Sequence, residues 1–153
     1  MIKFTERVQI LVWVFLNRKK FKPNPAGPHR WYAEIEHYND VPSAFYKVRD
    51  RILKSLDFDY KLVRQQKTFI TVITNGGYCH EHTDNHTPGY AHLRYNLCLL
   101  KPLRGGRHII EGKCEEQQTK EAKVIDVRYR HASEKVYGII PRVAMSVGVE
   151  KID

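Results

Sequence analysis

His92-Leu93-Arg94-Tyr95-Asn96-Leu97-Cys98-Leu99-Leu100 alternates almost throughout between polar and apolar residues. Successive side chains of an extended chain point to opposite faces, so Leu93, Tyr95, Leu97 and Leu99 share one side and His92, Arg94, Asn96 and Cys98 the other. The apolar side belongs to a core; the polar side looks into a cavity or into solvent. Downstream, Leu103-Arg104-Gly105-Gly106 reads as a tight turn into a short strand from Arg107 to Glu111. Lys113 to Lys120 reads as an exposed polar loop, Ala122 to Tyr129 as a strand, His131 to Gly138 as a connection and Ile139 to Val149 as the last strand. Upstream, Tyr60 to Arg64 and Lys67 to Thr74 are β-rich, and Asn75-Gly76-Gly77 turns the chain toward a histidine cluster. No internal repeat is visible.

Nearer the N-terminus the signals change. Val8 to Leu16 is rich in Val, Leu, Trp and Phe, a composition that favours a buried strand. Arg18 to Arg30 carries Pro23, Pro25, Gly27 and Pro28 and must be a loop, a connector rather than a cover over a cleft. Trp31 to Glu36 reads as a short strand. Asp40 then offers a helix cap, and Phe45, Val48, Ile52 and Leu56 recur at three- and four-residue steps, which predicts a helix from Val41 to Leu56. Many short strands after one helix predict a mainly β (α+β) fold, an antiparallel barrel or sandwich.

The 153 residues suit one domain spanning 1–153, with an N-terminal segment 1–59 and a β core 60–150. Hydrophobic residues at 42% and charged residues at 28% exclude a disordered chain. The longest apolar run, Ile10 to Leu16, is far short of the ~20 residues that span a bilayer and lacks a signal-peptide cleavage site, so no membrane partner and a cytoplasmic location are expected. Cys79, Cys98 and Cys114 form neither a disulfide framework nor a zinc motif. The formal charge of +9 favours acidic partners.

The chemistry concentrates in Gly76-Gly77-Tyr78-Cys79-His80-Glu81-His82-Thr83-Asp84-Asn85-His86. In an extended segment His82 and Asp84 project to the same side and can bind one metal ion together. His80 and His86 are close enough to substitute for His82, although only His82 stands two residues before an aspartate. His131 is the candidate third ligand. Two imidazoles and one carboxylate on one face of an octahedral ion leave the opposite positions open, as in non-haem Fe(II) oxygenases. His29, His37, His92 and His108 have no partner in sequence and are expected in ordinary surface or core roles.

His-x-Asp at 82–84, a later His131, and Arg142 followed by an apolar strand with Ser146 and Gly148 resemble the Fe(II)/2-oxoglutarate-dependent dioxygenases. Leu93 to Pro102 and Gly105-Gly106 are similar to the middle strands and hairpin of that superfamily, with features of both prolyl hydroxylases and aspartyl/asparaginyl β-hydroxylases. The resemblance covers roughly 60–150. It implies a double-stranded β-helix (jelly roll) with supporting helices, ferrous iron held by His82, Asp84 and His131, and 2-oxoglutarate and O2 as co-substrates. Arg142 would meet the far carboxylate of 2-oxoglutarate and Ser146, four residues along the same face, would donate a hydrogen bond; Thr71, Arg94 and Asn96 are further candidate contacts. Arg94 resembles an arginine of the aspartyl/asparaginyl hydroxylases, but that family lacks the carboxylate ligand present here as Asp84, so its substrate does not carry over. The implied reaction is hydroxylation of a macromolecule, a protein side chain ahead of a nucleic-acid base, with release of succinate and CO2. A nucleobase or nucleotide oxygenase, and a non-catalytic jelly-roll module binding metal or nucleic acid, remain the alternatives.

Overall fold

Alternation at 92–100 does produce a strand, and a computed structural model describing residues 2–63, 67–116 and 119–152 shows what lies on either side of it. Two helices, α1 (Phe4–Leu16) and α2 (Ser43–Lys54), accompany thirteen strands. These are β1 (Lys22–Pro23), β2 (Arg30–Glu34), β3 (Tyr60–Leu62), β4 (Thr68–Ile73), β5 (Cys79–His82), β6 (Tyr90–Leu100) and β7 (Arg104–Gly105), then β8 (His108–Ile110), β9 (Lys113–Glu115), β10 (Lys123–Asp126), β11 (His131–Ser133), β12 (Val136–Tyr137) and β13 (Arg142–Ile152). The large sheet runs β1-β2-β4-β13-β6-β10, with β3 pairing the far end of β13; a smaller sheet runs β5-β11-β8-β9, and β7 pairs β12. All pairings are antiparallel.

Residues paired across antiparallel strands share a face. Arg30 and Arg142 both pair Ile73, Ser146 pairs Phe69 and Asn96, and Gly148 pairs Arg94, so these side chains project together toward the small sheet. The opposite face carries Ile70, Leu97, Leu99, Val143, Met145 and Val147, all buried. Against it pack Ile10, Trp13 and Val14 of α1 and Phe45, Val48 and Ile52 of α2, with Trp13 edge-on to Phe45 at 5.5 Å between ring centroids. Each such side chain contributes on the order of 1.5–3 kcal/mol when fully buried. Glu6 of α1 also meets Arg51 of α2 at 2.5 Å.

Several local expectations change. The stretch from Val8 to Leu16 is helical, not a strand: Glu6, Ile10, Trp13 and Val14 recur at helical spacing on the buried side. The helical period is hidden because Phe4, Val8, Val12, Phe15 and Leu16 make the outer side apolar too. Asp40 does not cap α2; Pro42 holds the N-cap position without a side-chain hydrogen bond, and the Asp40 carboxylate pairs with Lys20 at 2.5 Å. The connection from His131 to Gly138 contains β11 and β12, and Leu103–Gly106 contains β7. Lys113–Glu115 is a strand, while residues 117 and 118 of the expected polar loop, and Arg64 of the expected strand at 60–64, lie outside the described residues. The large sheet also takes β1 and β2 from the N-terminal 59 residues. Among the described residues no helix is long and apolar enough to cross a membrane.

Candidate metal and dicarboxylate site

Pairing of β5 with β11 sets His82 directly opposite His131. Asp84 follows β5, and its backbone N–H donates to the Val127 carbonyl at 2.8 Å, which fixes the turn that brings the carboxylate back toward the two rings. His82 Nε2 is 3.3 Å from Asp84 Oδ1, His131 Nε2 is 4.0 Å from the same oxygen, and the two ring centroids are 4.3 Å apart. Among the described residues this is the one group of three His, Cys, Asp or Glu side chains with donor atoms within 4.8 Å of one another. His80 and His86 are exposed and outside it.

The tautomers suit a metal. His82 Nδ1 lies 2.7 Å from the His80 carbonyl and His131 Nδ1 lies 3.0 Å from the Tyr129 carbonyl. A carbonyl only accepts, so each Nδ1 carries a proton and Nε2 is the ring atom turned to Asp84; in the metal-free protein His82 Nε2–H donates to that carboxylate, and a metal ion would displace the proton and take the Nε2 lone pair. With metal bonds near 2.1 Å, cis ligands stand roughly 3 Å apart; His82 and Asp84 are near that spacing at 3.3 Å, and His131 stands farther off at 4.0 Å. Without an ion, the Asp84 hydrogen bond raises the pKa of His82 to about 10, with a further contribution from Cys79. Burial raises that of Asp84, but the His82 hydrogen bond and the charges of His131 and Arg94 outweigh it, leaving the carboxyl below its ordinary 3.8. Burial lowers His131.

Behind this cluster lies a cavity of about 300 Å³ between the two sheets, lined by His82, Asp84 and His131 and also by Arg142, Ser146, Thr71, Arg94 and Asn96. Arg142 is 4% exposed. Among the described residues its guanidinium is hydrogen-bonded to His108 Nε2 alone, at 2.6 Å, and its Nε has no partner. The Ser146 hydroxyl, on the same face of β13, is also buried with no partner among the described residues. Because Arg142 can only donate, His108 Nε2 accepts and the ring is neutral; burial, then the Arg142 charge, holds its pKa well below 6.5. Arg94 stacks over Phe69 with its guanidinium carbon 5.1 Å from the ring centroid. Gly148 makes room for it, since a Cβ there would stand 2.5 Å from Arg94 Nη1.

No protein-family model matches the sequence, and no curated protein is similar to it in sequence. Solved structures are similar in shape. A viral collagen prolyl hydroxylase from Paramecium bursaria Chlorella virus-1, in complex with 2-oxoglutarate, superposes with TM-score 0.71 at 13% identity, covering 99% of this chain and 94% of its own. The chain has the double-stranded β-helix fold. A prolyl hydroxylase from Trichoplax adhaerens, bound to a hypoxia inducible factor peptide, superposes with TM-score 0.69 at 14% identity over 97% of this chain and 79% of its own. HygX from Streptomyces hygroscopicus, with nickel, 2-oxoglutarate and hygromycin B bound, gives TM-score 0.66 at 9% identity over 94% and 78%.

Within this β-helix two cavity residues escape a reading by motif. His108 shows no partner in sequence because its partner is 34 residues away on β13. Arg30 stands one residue before the strand expected from Trp31 and is the first residue of β2. Begun one residue earlier, Arg30, Tyr32 and Glu34 alternate with Trp31 and Ala33 as in β6, and Arg30 and Tyr32 line the cavity. The loop before β2 also borders it: Asn24, Pro25 and Ala26 are lining residues, and His80 N–H donates to the Ala26 carbonyl at 2.7 Å. This segment is a connector and a wall of the cavity together.

Proposed function

We propose that the protein is an Fe(II)- and 2-oxoglutarate-dependent dioxygenase that hydroxylates a macromolecular substrate, a protein side chain in preference to a nucleobase, and releases succinate and CO2. The observation that carries this reading is Arg142. A buried guanidinium bonded, among the described residues, only to a neutral imidazole is costly, and it is compensated when a carboxylate enters the same cavity. A dicarboxylate long enough to run from Arg142 toward the metal cluster supplies that charge.

Bound by His82, Asp84 and His131, ferrous iron would supply dioxygen activation coupled to oxidative decarboxylation of 2-oxoglutarate. The chain's own residues do the rest. Backbone carbonyls of His80 and Tyr129 hold the two imidazoles in the ligating tautomer. Arg142 offers its guanidinium edge to the far carboxylate and Ser146 its hydroxyl, while His108 fixes the plane of the guanidinium. Thr71, Arg94 and Asn96 face the same space and orient the co-substrate, and Ile73, Ile125 and Val127 keep its wall apolar, which excludes water from the reacting centre.

Support for a protein substrate comes from two of the structural neighbours, described as prolyl hydroxylases, one with a peptide bound. A charge of +9 favours the nucleic-acid alternative. Succinate release by the iron-loaded protein, measured with peptide pools and oligonucleotide pools, tests both. Stimulation by peptides is expected; stimulation by oligonucleotides with a steep salt dependence would shift the substrate, and no stimulation by either would overturn the assignment.

A further inference from the structure

The cavity carries more positive charge than metal and co-substrate need. Three guanidinium groups, Arg30, Arg94 and Arg142, line it with one carboxylate, Asp84. A divalent ion and a dicarboxylate cancel each other, Asp84 offsets one arginine, and Glu34, whose charge acts on Arg94, offsets another. One positive charge is left over.

That charge is best assigned to Arg30. It shares a row of the large sheet with Arg142, on the other side of Ile73, but unlike Arg142 it is only partly buried, so part of its side chain stays open to solvent. Its Nη1 donates to Asn24 Oδ1 at 2.9 Å, and the Asn24 N–H donates to the Arg30 carbonyl at 2.8 Å, which together aim the guanidinium. Its Nε is buried and has no partner among the described residues. Asn24 is held in turn by the loop that His80 ties to β5, so the arginine is preset rather than recruited.

Building on the dioxygenase reading above, we propose that Arg30 is the recognition residue for a substrate carboxylate, so that the preferred substrate is a peptide presenting an aspartate or glutamate side chain at the cavity mouth. A volume of about 300 Å³ is at the lower end of small-molecule sites, so with 2-oxoglutarate inside it the remainder suits one side chain rather than a larger ligand.

The test uses the Mn(II)-loaded protein with 2-oxoglutarate and two hexapeptide pools of matched composition, one containing Asp and Glu, the other Asn and Gln in their place. Binding is read by fluorescence anisotropy. The wild type should bind the acidic pool about tenfold more tightly, the size expected of a charge-assisted hydrogen bond. Arg30→Gln should abolish this preference and Arg30→Lys should restore part of it. Equal binding of the two pools, a preference that survives Arg30→Gln, or an oligonucleotide pool that displaces the acidic peptides would each overturn the proposal. Calorimetry of 2-oxoglutarate alone separates the two readings: failure to bind it sinks the dioxygenase assignment whatever the peptides do, whereas its binding with no acidic preference sinks only the role of Arg30.

Discussion

The two faces of the large sheet use the same strands to opposite ends. Toward the helices, β13 presents Val143, Met145 and Val147 to α1 and α2, every one fully buried among apolar neighbours. Toward the small sheet, the intervening positions Arg142 and Ser146 are buried too, yet among the described residues the Nε of one and the hydroxyl of the other lack partners. Buried polar groups are normally satisfied, and those left open cost stability. One face stabilises the fold; the other stores unsatisfied polarity that a ligand can relieve.

Breaking the apolar face should cost the most. Leu97→Ala removes a fully buried side chain between sheet and helices and is expected to lower unfolding free energy in urea by about 2–5 kcal/mol, with 2-oxoglutarate affinity unchanged when measured well below the midpoint. The polar face should respond in reverse. Arg142→Met exchanges an uncompensated buried cation for an apolar chain, so stability should hold or rise by about 1–3 kcal/mol while 2-oxoglutarate affinity falls roughly a hundredfold, about 2.7 kcal/mol. A variant that lost both stability and affinity would erase the distinction between the faces.

Two smaller effects sharpen it. His108→Phe removes the acceptor that orients Arg142, and a loss of about tenfold in 2-oxoglutarate affinity is expected, visible in calorimetry of the Mn(II)-loaded protein. The same variant isolates a pH effect. Because the pKa of His108 is depressed in the folded chain, the unfolded chain takes up a proton below pH 6.5 that the folded chain refuses, so acidification destabilises the fold. From pH 7.5 to 5.5 the metal-free wild type should lose stability relative to His108→Phe, by at most about 1.4 kcal/mol per pH unit. A constant difference across that range would mean that His108 titrates normally.

The strands with a period of two were legible in the sequence. Alternation at 92–100 marks β6, and the residues it places on the polar side, Arg94 and Asn96, do line the cavity. Helix α2 was readable from Phe45, Val48 and Ile52 for the same reason, one face being apolar and the other charged. Helix α1 was not, since apolar residues on both sides erase the period. His82, Asp84, His131 and Arg142 could be singled out by residue type and order. Their convergence depends on the β5–β11 and β4–β13 registers, which no local pattern encodes. His108 and Arg30 were illegible for a related reason: each is an ordinary polar residue in a short strand until pairing turns it inward.

The central claim is that one cavity takes a metal ion at His82, Asp84 and His131 and a dicarboxylate at Arg142 together. The direct measurement is a calorimetric titration of 2-oxoglutarate into Mn(II)-loaded wild type, repeated with metal-free protein and with Asp84→Ala. Saturable one-to-one binding that weakens at least tenfold when the metal is removed and equally in Asp84→Ala is the predicted result. Affinity indifferent to both metal and Asp84, or no binding at all, would contradict it.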